Sequence, residues 1–102
     1  MSEPASRPTS VLVVDDHAMV REMLRGHLDA QPDLKVVGVA CDGDEAVEQA
    51  EALAPDVVLM DIDMPGRQCF AAARAIKAAS AHTRIIYVSA FFHDRYIEDA
   101  LT

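Results

Sequence analysis

Acidic and hydroxyl side chains follow three of the short apolar runs in this 102-residue chain. They are Asp15 and Asp16 after VLVV, Asp61 after VVLM, and Ser89 after IIYV. Carboxylates placed close together repel one another unless a cation neutralises them, and oxygen ligands that leave room for water and phosphate suit Mg²⁺ better than Ca²⁺. A carboxylate in such a site can also attack phosphorus to form an acyl phosphate, with the cation and a nearby hydroxyl stabilising the phosphoryl oxygens.

Alternating strand and helix patterns are the elements that would position these side chains. Four apolar runs are typical of strands buried on both faces, which pair in parallel: 11–14, 36–40, 57–60 and 85–88. Apolar residues recur at helical spacing between them, over 20–28, 46–53 and 70–76, and again in a final segment, 93–102. Right-handed βαβ units are therefore predicted, with helices on both faces of a parallel sheet. Because ligands of such sheets bind at the carboxyl ends of the strands, the three aspartates converge if the first and third strands are neighbours.

Composition limits the classes of protein that the chain can represent. Its length and apolar content fit one small domain, with a disordered leader over 1–10 and the domain over 11–102. A formal charge of −8 argues against direct binding of nucleic acid or anionic lipid. The sequence shows no secretory pattern and no apolar run long enough to span a bilayer, so a cytoplasmic location is expected. Cys41 and Cys69 are predicted to be reduced packing thiols.

Three blocks of the sequence together resemble the receiver domain of two-component response regulators. They are VLVVDDHAMVRE, VVLMDIDMPG and RIIYVSAF, and the resemblance covers about residues 10–102. The run DDH-x-x-VR is most similar to the branch that carries LuxR-type DNA-binding outputs, the NarL type. The resemblance implies an α/β fold, a flavodoxin-like doubly wound parallel sheet with strand order 2-1-3-4 over the part of the fold that this chain contains.

The resemblance also implies roles for individual residues. Asp61 would be the phosphoacceptor, phosphorylated from a phosphohistidine on a sensor histidine kinase or phosphotransfer protein. Mg²⁺ would be bound by Asp15, Asp16, Asp61 and the backbone carbonyl of Asp63. Ser89 would be the switch hydroxyl that turns toward the phosphoryl group. Such a module accepts a phosphoryl group and is not itself an enzyme, apart from self-dephosphorylation.

The chain departs from the family pattern in two places. Cys69 stands where the family normally has a glycine, eight positions after the phosphoacceptor. The chain ends at Thr102, so the expected domain is truncated and lacks the fifth strand, the fifth helix and the lysine that follows that strand. Lys35 and Lys77 do not follow a predicted strand. An incomplete sheet edge invites a partner, and self-association through that edge or the final helix is our hypothesis.

Other classes of function share part of this pattern. DID at 61–63 resembles the nucleophile and acid of haloacid-dehalogenase-type phosphatases, but that motif normally lies on the first strand, and here a full βαβα precedes it. A nucleotide-binding fragment would need a glycine-rich turn where this chain has DDHAMVRE. A receiver-like module that no longer accepts phosphate, and serves as a scaffold or dimerisation unit, stays open as the alternative.

Single residues also have purely structural interpretations. Asp15 and Asp16 could cap a helix, Asp63 could be a solvated turn residue, and Ser89 could be a helix N-cap. His17 is interpreted as the first-turn residue of a helix rather than as a ligand or base. The metal interpretation depends on the whole pattern and not on any one acid.

Overall fold

A computed structural model of the chain describes residues 7–62 and 69–88. The elements in chain order are β1 (Thr9–Val14), α1 (Ala18–Asp29), β2 (Leu34–Ala40), α2 (Gly43–Leu53), β3 (Val57–Asp61), α3 (Cys69–Ala79) and β4 (Arg84–Val88). Within these ranges no helix is long and apolar enough to cross a membrane. The predicted final helix over 93–102 lies outside the described residues.

The four strands form one parallel sheet in the order β2-β1-β3-β4, which confirms the predicted topology. Val14 pairs with Met60 and also with Ala40, so β1, β2 and β3 end at the same edge of the sheet. The β1–β2 register shifts between Val11 and Leu12, where the partner strand carries an extra residue. Because β1 and β3 are direct neighbours, Asp15 and Asp61 leave their strands side by side.

Helices cover both faces of the sheet, as the alternating pattern predicted. On one face, side chains of β1 and β3 pack against α2 and α3. This layer includes Leu12, Val58 and Met60 of the strands and Ala46, Ala50, Ala72 and Ile76 of the helices. On the other face, Val11, Val13 and Val36 pack against Leu24 and Leu28 of α1. Burying each large apolar side chain contributes about 1.5–3 kcal/mol, so these two layers hold the strand ends in place.

β4 differs from the prediction of burial on both faces. Ile86 is 48% exposed and Tyr87 is 42% exposed. β4 pairs with β3 on one side, and within residues 7–62 and 69–88 no strand pairs with its other side. An apolar run alone does not distinguish a central strand from an edge strand, and this run lies at the edge.

Residues 7–10 are also more ordered than the predicted leader over 1–10. Thr9 and Ser10 belong to β1, and the backbone N–H of Thr9 donates to the carbonyl of Asp33 at 2.9 Å. Asp56, just before β3, accepts hydrogen bonds through Oδ2 from Arg7 Nη1 and from the Ser10 N–H, both at 2.9 Å. These bonds hold residues 7–10 at the amino ends of the strands, opposite the predicted site.

Helix α2 begins and ends with well-defined caps. Asp42 is its N-cap and accepts the N–H of Glu45 at 2.8 Å, while Glu45 Oε1 accepts the N–H of Cys41 at 2.6 Å. Asp42, the acidic side chain after β2, therefore caps a helix. At the other end, Ala54 has the left-handed conformation, with φ 45° and ψ 57°.

Candidate functional site

Aspartates from two neighbouring strands meet at the carboxyl edge of the sheet. Asp61 is the last residue of β3 and is fully buried, and Asp15 follows β1 directly and is 1% exposed. One ligand atom from each of Asp15, Asp16, His17 and Asp61 lies within 4.8 Å of all the others. The predicted convergence of the three aspartates is confirmed, and an imidazole joins them.

Asp15 is fixed by contacts on three sides. Its backbone N–H donates to the carbonyl of Ala40 at 3.0 Å, which continues the pairing of β1 with β2. Its Oδ1 accepts the backbone N–H of His17 at 2.8 Å, and its carbonyl accepts Arg21 Nη1 at 2.8 Å. These bonds set both the path of the chain and the direction of the carboxylate.

The second oxygen of Asp15 has a different environment. Oδ2 is buried and has no hydrogen-bond partner among residues 7–62 and 69–88. A buried acceptor without a donor costs about 1–3 kcal/mol, and more when it is charged. A cation among Asp15, Asp16 and Asp61 would remove that cost, so the carboxylate donors fit a hard divalent ion.

His17 places its ring against the two acids that precede it. Nδ1 lies 3.1 Å from Asp15 Oδ1 and 2.9 Å from Asp16 Oδ1. The second contact has ion-pair distance without hydrogen-bond alignment, since Asp16 Oδ1 has no hydrogen-bond partner among the described residues. The hydrogen bond to Asp15, together with the charges of the neighbouring aspartates, raises the pKa of His17, and desolvation opposes that shift.

The interpretation of His17 as a first-turn residue was incomplete. His17 is the N-cap of α1, yet its side chain makes no capping hydrogen bond. The ring contacts the acidic group instead. The position of His17 directly after an acidic pair was the one sequence signal that could have indicated contact between the ring and the acids.

Two predicted site groups, Ser89 and the backbone carbonyl of Asp63, lie outside the described residues. Cys69 begins α3 and is buried, with its Sγ donating to the carbonyl of Ile62 at 3.8 Å. Cys41 and Cys69 do not form a disulfide with each other, and Cys41 is exposed and so is not a packing residue. Lys77 donates to the carbonyl of Thr83 at 2.7 Å, in the loop that leads into β4, and therefore lies away from the acids.

The chain matches the family described as the response regulator receiver domain over residues 11–102. It is 52% identical over 83 residues to a protein-glutamate methylesterase/protein-glutamine glutaminase of Thermotoga maritima, covering 81% of this chain and 24% of that protein. It is 44% identical over 84 residues to the transcriptional regulatory protein LiaR of Bacillus subtilis, covering 82% of this chain and 40% of that protein. The chain thus spans less than half the length of these relatives.

A solved structure agrees in fold as well as in sequence. It is the complex of the P1 domain of CheA3 with CheY6 from R. sphaeroides, in which one chain is 30% identical to this chain with a TM-score of 0.78. The match covers 94% of this chain and 74% of that one. The predicted doubly wound fold, the convergent aspartates and the match over residues 11–102 agree, and the chain belongs to the response regulator receiver domain family.

Proposed function

We propose that Asp61 is the residue on which this receiver domain accepts its phosphoryl group. The observation that carries the proposal is the meeting of Asp15, Asp16 and Asp61 at one edge of the sheet, around a buried Asp15 oxygen that has no donor among the described residues. The family resemblance selects Asp61 among the three; burial alone does not, since Asp61 is 0% and Asp15 is 1% exposed and both lie at the carboxyl ends of central strands. Burial excludes water from the attacking oxygen.

The reaction is transfer from a phosphohistidine. An Asp61 carboxylate oxygen attacks phosphorus, the bond from phosphorus to the imidazole nitrogen breaks, and the released imidazole takes up a proton. The product is an acyl phosphate that adds about one to two negative charges at this edge. Ser89 as the switch hydroxyl stays a prediction from the family resemblance.

Magnesium is the cofactor that we propose for this site. Asp15, Asp16 and Asp61 would hold it, with the carbonyl of Asp63 as a further predicted ligand. When bound, Mg²⁺ neutralises charge on the phosphoryl oxygens during transfer. Asp15 accepts the backbone N–H of His17 and donates its own N–H to the Ala40 carbonyl, and these hydrogen bonds position it without an ion.

The partner that we propose is a histidine kinase or a phosphotransfer protein. The solved complex of CheY6 with the P1 domain of CheA3 supports a partner of this kind for a receiver domain. We do not extend the esterase activity of the methylesterase relative to this chain, since the match covers 24% of that protein. We propose that the chain is a phosphoacceptor rather than an enzyme and that it acts in the cytoplasm. We also propose that it is coupled to transcription, which the description of LiaR as a transcriptional regulatory protein supports.

Intact-mass measurement after incubation with a small phosphodonor and Mg²⁺ tests this proposal. We expect one phosphate adduct on the wild-type chain, none on Asp61→Asn, and none when EDTA replaces Mg²⁺. Asp33→Asn is the matched control, because Asp33 is exposed and lies before β2 at the opposite edge of the sheet. An unmodified wild-type chain would favour the scaffold or dimerisation role. An adduct that survives in Asp61→Asn would assign the phosphoryl group to another residue and overturn the proposal for Asp61.

A further inference from the structure

The fourth donor at the acidic edge is a nitrogen, and this bears on which ion the site prefers. A ring nitrogen of His17 belongs to the same group of mutually close ligand atoms as the three aspartates, and Nδ1 is the nitrogen that contacts Asp15 and Asp16. Asp15 in that group is 1% exposed, and its Oδ2 is a buried acceptor without a donor among residues 7–62 and 69–88. A fully buried acceptor beside this group indicates a ligand site rather than a solvated cluster of acids.

The spacing of the donors matches the coordination shell of a small divalent ion. Adjacent ligands of an octahedral ion with bonds of about 2.1 Å lie about 3.0 Å apart, and opposite ligands about 4.2 Å apart. The two distances from His17 Nδ1 to the aspartate oxygens are 3.1 Å and 2.9 Å, and no pair in the group exceeds 4.8 Å. Small adjustments of the side chains would place one ion in contact with all four donors.

We propose that His17 is a metal ligand. Because one donor is then a nitrogen, the site prefers a first-row transition ion such as Mn²⁺ over Mg²⁺, and this preference is larger than that of a site with oxygen donors alone. The inference rests on the proposed cation site. Mg²⁺ prefers an all-oxygen shell with several waters, whereas first-row transition ions accept imidazole more readily, Mn²⁺ gaining the least of that series. The backbone N–H of His17 would stay on Asp15 Oδ1 while the ring binds the ion.

A competing role for the ring makes the opposite prediction. If His17 only neutralises the acids, its positive charge competes with any divalent ion, and removing the ring strengthens binding of Mn²⁺ and Mg²⁺ alike. If the ring is a ligand, removing it weakens Mn²⁺ binding more than Mg²⁺ binding. One substitution therefore separates the two roles.

The test is metal affinity of the whole chain and of His17→Ala at about pH 8, where imidazole is a better ligand than at acid pH. Binding of Mn²⁺ is followed by loss of the free-ion electron paramagnetic resonance signal, and Mg²⁺ by competition. We expect His17→Ala to lower Mn²⁺ affinity by about tenfold and Mg²⁺ affinity by less. His27→Ala is the matched control, since His27 is an exposed histidine of the same helix.

Pulsed electron paramagnetic resonance detects the nitrogen ligand directly, and its first readout is on the wild-type chain. With ¹⁵N-labelled histidine, bound Mn²⁺ should show a nitrogen coupling that persists in His27→Ala and disappears in His17→Ala. Absence of that coupling, or an equal change in the affinities for both metals, overturns the nitrogen ligand and leaves the proposed cation site intact. Failure of the wild type to bind either metal overturns both.

Discussion

Replacing Asp15 by asparagine tests whether the acidic edge destabilises the metal-free fold. Asparagine keeps an oxygen for the His17 N–H and places an amide donor among the carboxylates of Asp16 and Asp61. Satisfying the buried position of Oδ2 and removing one like charge should stabilise the fold by about 1–3 kcal/mol. Loss of the contact with the partly exposed His17 ring should offset at most about 1 kcal/mol. In EDTA, we expect the free energy of unfolding of Asp15→Asn to exceed that of the wild type by about 1–2 kcal/mol.

Magnesium should reverse that order. An ion at 100 times its dissociation constant stabilises the wild type by about 2.7 kcal/mol, which exceeds the gain of the variant. Asp15→Asn lacks one ligand charge and should respond much less. Urea unfolding followed by circular dichroism, in EDTA and in excess Mg²⁺, measures both effects, with Asp33→Asn as the exposed control. A variant less stable than the wild type in EDTA would refute the claim that the acids are held together at a cost.

Three further predictions concern the stability of the fold away from the acidic site. Ala54→Gly should raise the free energy of unfolding by about 0.5–1 kcal/mol, because Ala54 has φ 45° and glycine takes that conformation without strain; a lower urea midpoint would contradict this. Thr83→Val should destabilise by about 1–3 kcal/mol in the same assay, because the buried Thr83 hydroxyl donates to the Pro55 carbonyl at 2.6 Å; an unchanged midpoint would show that this bond is dispensable. The Arg7 guanidinium holds the pKa of Asp56 well below its usual range, so Asp56 stabilises the fold above about pH 4 and this contribution is lost as the pH falls. Asp56→Asn should therefore lower stability at pH 7 and have a smaller effect near pH 3, and an equal effect at both would contradict the ion pair.

The site could be predicted from the sequence because the strand pattern also shows which residues stand at the strand ends. Four apolar runs of strand length, separated by helical patterns, indicated parallel pairing, and parallel pairing places strand ends at one edge. Asp15 and Asp61 could be assigned to that edge without coordinates. The strand order came from the family resemblance and not from the runs themselves.

The remaining features depend on tertiary contacts that no local pattern encodes. The extension of β1 to Thr9 reflects pairing with the chain before β2, and Asp56 holds Arg7 and Ser10 across 46 or more positions. Exposure of Ile86 follows from the edge position of β4. The ring of His17 lies against the acids from an N-cap position with extended backbone, and residue type alone determines neither the position nor the contact.

Aspartate side chains have opposite environments at the two ends of the strands, as Asp56 at the amino ends and Asp15 at the carboxyl ends show. The carboxylate of Asp56 accepts hydrogen bonds from a guanidinium, a backbone N–H and a hydroxyl. Asp15 keeps a buried oxygen without a donor among the described residues, although Arg21 reaches its carbonyl at 2.8 Å. Stability alone would favour turning that guanidinium onto the carboxylate, since a charged hydrogen bond is stronger than a neutral one. Arg21 instead fixes the backbone and leaves the carboxylate charge at the edge where the aspartates meet. That charge is available to a cation from solution, which is the condition that the proposed phosphoryl transfer to Asp61 requires.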